Sequence, residues 1–150
     1  MDSLAYNKKA KFDYFLEESF EAGIVLEGWE VKSILAKKIS INNSYVIIKN
    51  REAFLLNSDI TPMQQASTHK LHENTRTRKL LLHKSELNKL IGKTEIKGYT
   101  LIPISVYINK KIKLKFSLSL GKKQHDKREA IKNREVDRET ERATKKAFRS

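Results

Sequence analysis

The chain changes character at Gly121, and that break limits what it can fold into. Before it, apolar and polar residues alternate with the period of half-buried strands; after it, almost nothing is left to bury. Residues 121–150 hold 11 Lys and Arg against 6 Asp and Glu, with Ile131, Val136 and Phe148 as the only larger apolar side chains. Fixing one residue costs about 1–2 kcal/mol of backbone entropy, and three such side chains do not offset that. The expected organisation is a folded body over residues 1–121 and a basic tail over 122–150 that stays disordered until a partner orders it. Within the tail, Arg134, Arg138, Arg142 and Lys146 recur every four residues and would share one side of a helix. Like charges four apart destabilise an isolated helix by about 0.2–0.5 kcal/mol per pair, which Glu135 beside Arg138 and Glu139 beside Arg142 offset in part. A polyanion that neutralised the ridge would tip the balance toward helix. The plainer reading is a solvated tail that serves solubility.

The net charge of +13 belongs to both parts. Outside the tail, 20 Lys and Arg face 12 Asp and Glu, so the body is basic on its own. A nucleic acid is the first partner this suggests and an anionic membrane surface the second. No stretch approaches the ~20 apolar residues that span a bilayer, and the N-terminus lacks a signal peptide's apolar run. With no cysteine there is neither a disulfide framework nor a thiolate metal site. The expectations are a cytoplasmic location, no cofactor and a monomer.

Along the body, Tyr14 to Leu26 suits a long bent strand with Gly23 at the bend or bulge. Val31, Ile34 and Leu35 follow Trp29 with helical spacing, predicting a short helix over Gly28 to Lys37. Ser44–Lys49 and Ala53–Ile60 read as strands joined by the turn Asn50-Arg51-Glu52, which lacks the Asn-Gly signature of the tightest hairpins. Thr61 to Arg78 is a long polar loop expected to touch a ligand. Lys79–His83 reads as a buried strand, and Ser85 is placed to cap a helix whose inner face is Leu87, Leu90 and Ile91, ended by Gly92 or Gly98. Tyr99–Ile108 and Lys111–Leu120 form a hairpin around Asn109-Lys110. In the second of these strands Leu114, Phe116, Leu118 and Leu120 form a core face, and Lys113, Lys115, Ser117 and Ser119 a basic, wettable one. The fold class is therefore mainly β with short helices: a closed six-stranded barrel of the oligonucleotide/oligosaccharide-binding (OB) type, with an open α+β sheet as the alternative.

Several strings then match one family in order and spacing: Asn7-Lys8-Lys9-Ala10-Lys11, Phe20-Glu21-Ala22-Gly23-Ile24, Gly28-Trp29-Glu30-Val31-Lys32-Ser33, Thr77-Arg78-Lys79-Leu80-Leu81-Leu82-His83 and Gly121-Lys122-Lys123-Gln124-His125-Asp126-Lys127-Arg128. From Asn7 into the tail the chain resembles the SmpB family of SsrA-binding proteins. That resemblance implies an OB-like barrel with flanking helices and a basic tail unstructured in isolation. It implies an adaptor that binds the tRNA-like domain of transfer-messenger RNA and delivers it to stalled ribosomes for trans-translation, which tags the incomplete protein. It implies RNA contacts around Asn7, Glu21 and Leu81, and places His125, Asp126, Lys127 and Arg128 near the decoding centre, with the rest of the tail in the empty mRNA channel. Three departures stand out. Phe12 replaces a frequent His, Ile34-Leu35-Ala36-Lys37-Lys38 replaces a frequent Leu-Arg-x-Gly-Lys, and Leu120 replaces a usual Lys.

Each residue also has a plainer reading. Glu21 can accept from a base amino group or a ribose 2′-OH, or be an ordinary solvated glutamate. Leu81 can touch an unstacked base, but one of the three leucines must be core, and alternation sets Leu81 opposite its neighbours. Trp29 reads as core or a barrel lid. Asn7 suits an RNA contact or a local cap. Lys8, Lys9, Lys11, Lys122 and Lys123 suit phosphates, giving affinity and salt dependence rather than sequence choice. His69, His72 and Glu73 have partial metal-ligand spacing but no obvious further ligand, so no metal is expected. The competing classes are another small ribosome-associated RNA-binding protein, and a ribonuclease using His83 or His125.

Overall fold

The computed structural model describes residues 3–63 and 73–122. In chain order its elements are β1 (Ser3–Tyr6), α1 (Ala10–Asp13), β2 (Tyr14–Ile24), α2 (Gly28–Leu35), β3 (Ile39–Ser40), β4 (Tyr45–Lys49), β5 (Glu52–Leu56), β6 (Asp59–Ile60), β7 (Arg78–Leu81), α3 (Lys84–Thr94), β8 (Tyr99–Asn109) and β9 (Lys111–Gly121). The architecture is mainly β with three short helices. Antiparallel pairing runs β8–β4–β5–β7–β2–β9, and β9 pairs again with β8, while β1 adds to β8 and β3 pairs with β6.

The alternation in β9 builds the core. Leu114, Phe116, Leu118 and Leu120 are all buried, and Phe116 stacks on its cross-strand partner Phe20 with ring centroids 5.7 Å apart. Ala22, Leu55, Leu80, Leu101 and Val106 complete this interior, to which α2 adds Ile34 and α3 adds Leu90. Burying a Leu or Phe side chain is worth about 1.5–3 kcal/mol, so these positions dominate the stability of the body.

Several expectations need correcting. The outer face of β9 is wet only over Lys111, Lys113 and Lys115, because Ser117 and Ser119 are buried. Both serines lie beside a second small apolar cluster formed by Ala10 of α1 with Ile102, Ile104, Tyr14 and Leu16. Ser117 Oγ donates toward the Glu17 and Glu18 carbonyls, each at 3.2 Å, and Ser119 Oγ donates to the Ser117 carbonyl. The bulge of β2 falls between Leu16 and Ser19, where the register with β9 shifts; Gly23 pairs regularly with both Leu81 and Lys113. The strand expected over Ala53–Ile60 breaks in two at Asn57, which takes φ 60°, and the second piece pairs with β3. His83, not Ser85, is the N-cap of α3; no side chain caps it there, and the helix runs through Gly92 to Thr94. Helix α1, formed within the basic entry, is an element the periodicity did not show.

The polar stretch Thr61–Arg78 also ends differently from its expectation. Arg78 is the largest fully buried side chain among the described residues. Its Nε donates to Glu30 Oε2 at 2.6 Å, one terminal nitrogen to the Ser58 carbonyl and Oγ at 2.8 Å each, and the other to the Asn74 carbonyl at 2.9 Å. Arg76 holds the other Glu30 oxygen, and Glu30 Oε1 also accepts the Glu27 N–H that begins α2. Burial works against the Glu30 carboxylate, yet the Arg76, Glu27 and Arg78 hydrogen bonds win and hold its pKa below the ordinary value. One ion network thus ties α2 to β7 and to the junction after β5.

Candidate nucleic-acid interface

Residues directly opposite in antiparallel strands point to the same side of the sheet. Leu81, Gly23, Lys113 and Tyr107 therefore form one row across β7, β2, β9 and β8, and Glu21, Lys115, Ser105 and Tyr6 the next across β2, β9, β8 and β1. Leu81 is 56% exposed, the most open leucine of its triplet, while Leu80 is buried. Glu21 and Leu81, far apart in sequence, thus share an outer face with Lys111, Lys113 and Lys115.

Glu21 is a carboxylate held in place among these lysines. Its Oε2 accepts a short hydrogen bond from the Tyr107 hydroxyl, and Asn109 Nδ2 donates to Oε1 at 3.2 Å. The Tyr107 bond, opposed by partial desolvation and aided by Asn109 and Lys113, keeps Glu21 below the usual carboxylate range. Desolvation together with the carboxylate pushes the Tyr107 phenol up to about 12. Tyr107 and Asn109 carry no sequence signal beyond their place in a strand, and only the register reveals them.

A second basic area surrounds α1. Lys8, Lys9 and Lys11 are exposed, and Phe12 is 79% exposed beside them. Asn7 is buried: its Nδ2 donates to the Pro103 carbonyl at 2.9 Å and its Oδ1 accepts from the Lys9 N–H at 3.2 Å. The asparagine therefore presents the lysine turn to solvent instead of presenting its own amide. Next to it, a cleft of about 400 Å³ is lined by Lys9, Asp13, Asn42, Asn43 and Tyr45 among others. Tyr14 pairs with Gly121, and Lys122 Nζ sits 5.4 Å from the centre of the Phe15 ring, so the root of the tail emerges beside α1.

Lys123, His125, Asp126, Lys127, Arg128, Arg134, Arg138, Arg142, Lys146, His69 and His72 lie outside the described residues. Among the described residues, no group of three or more His, Cys, Asp and Glu side chains is placed to hold a metal ion, and no helix is long and apolar enough to cross a membrane. His83, offered above as a catalytic base, is exposed at the start of α3.

A small, mainly β body with a lysine-lined outer face and an oriented acceptor has the features of a nucleic-acid-binding module. Comparison with known proteins narrows the class: the model of the SmpB protein family matches residues 4–146. The chain belongs to the SmpB family. It is 53% identical over 146 residues to the SsrA-binding protein of Thiobacillus denitrificans, covering 97% of this chain and 98% of that one. It is 55% identical over 134 residues to that of Polynucleobacter asymbioticus, covering 89% of each. Among solved structures it resembles a chain of "tmRNA-SmpB: a journey to the center of the bacterial ribosome", with TM-score 0.65 and 41% identity over 78% of this chain and 82% of that one.

Proposed function

We propose that this chain is a non-catalytic adaptor that binds the tRNA-like domain of transfer-messenger RNA and delivers it to stalled ribosomes for trans-translation. It works in the cytoplasm as a monomer, without a cofactor. The observation that carries this reading is the family match over nearly the whole chain, together with the lysine-lined face that gathers Glu21 and Leu81. The six-strand ring of pairings is a closed OB-like barrel, an architecture that offers a strand face and loops to nucleic acid. On it, Glu21 and Leu81 touch RNA directly. Asn7 orders the turn that carries Lys8, Lys9 and Lys11 to the phosphates, and Lys122 and Lys123 extend that basic area. Residues 122–150 form the ribosome-binding tail, ordered only when bound: His125, Asp126, Lys127 and Arg128 lie toward the decoding centre, and Arg134, Arg138, Arg142 and Lys146 make the cationic ridge that follows the vacant mRNA channel.

The test separates body from tail. RNA copurifying from cells with the full chain and with a chain ending at residue 125 is sequenced, and tagging of stalled peptides is followed in parallel. Transfer-messenger RNA is expected with both proteins, and tagging only with the longer one. Recovery of ribosomal RNA alone, or equal loss of RNA and tagging on truncation, counts against the proposal.

A further inference from the structure

An adaptor for a folded RNA needs only shape and phosphates, yet the face around Glu21 is more specialised than that. The carboxylate is anchored from one side by Tyr107 and Asn109 and remains exposed on the other. A carboxylate has about four lone-pair sites, so each oxygen keeps acceptor capacity toward solvent. Two residues along β2 on the same face, Gly23 leaves a trough. A side-chain carbon built there would lie 3.5 Å from Leu81 Cβ, 3.7 Å from Leu81 Cδ1 and 3.8 Å from Lys113 Nζ, in ordinary contact with both, so glycine leaves the backbone bare between these two side chains.

We propose that Glu21, held by Tyr107 and Asn109, and the trough at Gly23 form a seat for one unpaired guanine of the bound RNA. The base lies over Gly23 against Leu81 and turns its Watson–Crick edge to Glu21. Guanine is the ribonucleobase whose edge sets two donors, N1–H and N2–H, side by side, and a fixed carboxylate matches that pair with both oxygens. Adenine and uracil each turn an acceptor toward the carboxylate, and cytosine offers a single donor. Uncharged Glu21 would lose half of this match. The lowered pKa keeps the group ionised; the charged and titratable groups that face it are Tyr107 from β8, whose phenol is pushed up to about 12, and Lys113 and Lys115 from β9. Tyr107 and Asn109 are positioning residues in this scheme: they touch the carboxylate and not the base.

This inference rests on the reading that RNA lies on the Glu21 face, and one experiment tells the two apart. The tRNA-like domain of transfer-messenger RNA is transcribed with a sparse, cleavable inosine analogue in place of guanosine, which removes only N2–H₂, and bound and free pools are mapped. Wild type is expected to exclude inosine from the bound pool at one unpaired guanine, by a factor on the order of ten. Glu21→Gln should bind the unmodified RNA more weakly and show no exclusion at that position. Tyr107→Phe should reduce the exclusion and move the acid limb of binding to higher pH, a shift that simple loss of packing would not produce. Gly23→Val, which fills the trough with a residue suited to a strand, should abolish the exclusion while thermal unfolding confirms a folded body. If Glu21→Gln weakens binding but no guanine responds, the guanine seat is wrong and the RNA face stands. If Glu21→Gln binds with unchanged affinity, both are wrong.

Discussion

Lys37 takes a backbone conformation that favours glycine. Its φ is 61°, in the left-handed region, and α2 ends in a Schellman arrangement: the Lys38 N–H reaches the Ser33 carbonyl at 2.9 Å and the Lys37 N–H reaches that of Ile34 at 2.9 Å. The turn therefore survives without glycine, at a backbone cost that a side chain incurs there. Asn50 and Arg51 repeat the pattern, with φ of 52° and 61° in the two-residue turn between β4 and β5, the signature of a type I′ hairpin. Charge is kept at sites where glycine would fit the backbone better. Lys37→Gly is accordingly expected to stabilise the protein by about 0.5–1 kcal/mol, read as a raised midpoint in urea unfolding with an unchanged slope. An unchanged or lowered midpoint would show that the lysine makes a compensating contact.

At the scale of elements, the Glu30–Arg78 pair does what no single strand can. Arg78 begins β7, where it pairs with Leu55 of β5, Glu30 lies in α2, and Ser58 lies between β5 and β6, so one guanidinium ties the helix to the sheet and to the turn that follows β5. Removing one partner of a buried pair leaves the other charge uncompensated, which costs about 3–5 kcal/mol. Glu30→Gln should lower stability by that order in equilibrium unfolding, far more than breaking the exposed Lys89–Glu18 bridge would, since surface pairs are worth about 0–1 kcal/mol. The same pair predicts an acid limit. Glu30 titrates lower in the folded state than its ordinary 4.5, so its contribution is complete above that pH and is lost as pH falls through the lowered folded value. Wild-type stability should decline with acid below about pH 4.5, and less steeply in Glu30→Gln, where that linkage is gone. Parallel declines in the two proteins would assign acid sensitivity to other carboxylates.

For the molecule as a whole, sequence periodicity revealed the long strands and not their partners. The β8–β9 hairpin and the core face of Leu114 to Leu120 were legible because alternation states which side is buried. Burial of Ser117 and Ser119 was not, since the apolar cluster beside them brings Ala10 of α1 against Ile102 and Ile104 of β8, a contact between segments about ninety residues apart. Arg78 looked like a ligand-loop cation because its polar surroundings gave no hint that Glu30, 48 residues earlier, would neutralise it. Glu21 and Leu81 were singled out through a family resemblance, whereas Tyr107 and Asn109 needed the register between β2, β9 and β8. The tail was read from its composition, its four-residue cationic spacing and the family resemblance, and beyond Lys122 it lies outside the described residues.

The pairing of Gly121 with Tyr14, with Lys122 held over Phe15, fixes the corner from which everything beyond it departs. Under the proposed function, chain length just past that corner sets how far the tail reaches from the RNA-binding body, since an extended residue spans about 3.3–3.6 Å. A one-residue insertion or deletion between Lys122 and His125 should impair peptide tagging in a stalled-ribosome assay more than the same change made after Arg149. Equal tolerance at both places would mean that the departure point sets no distance.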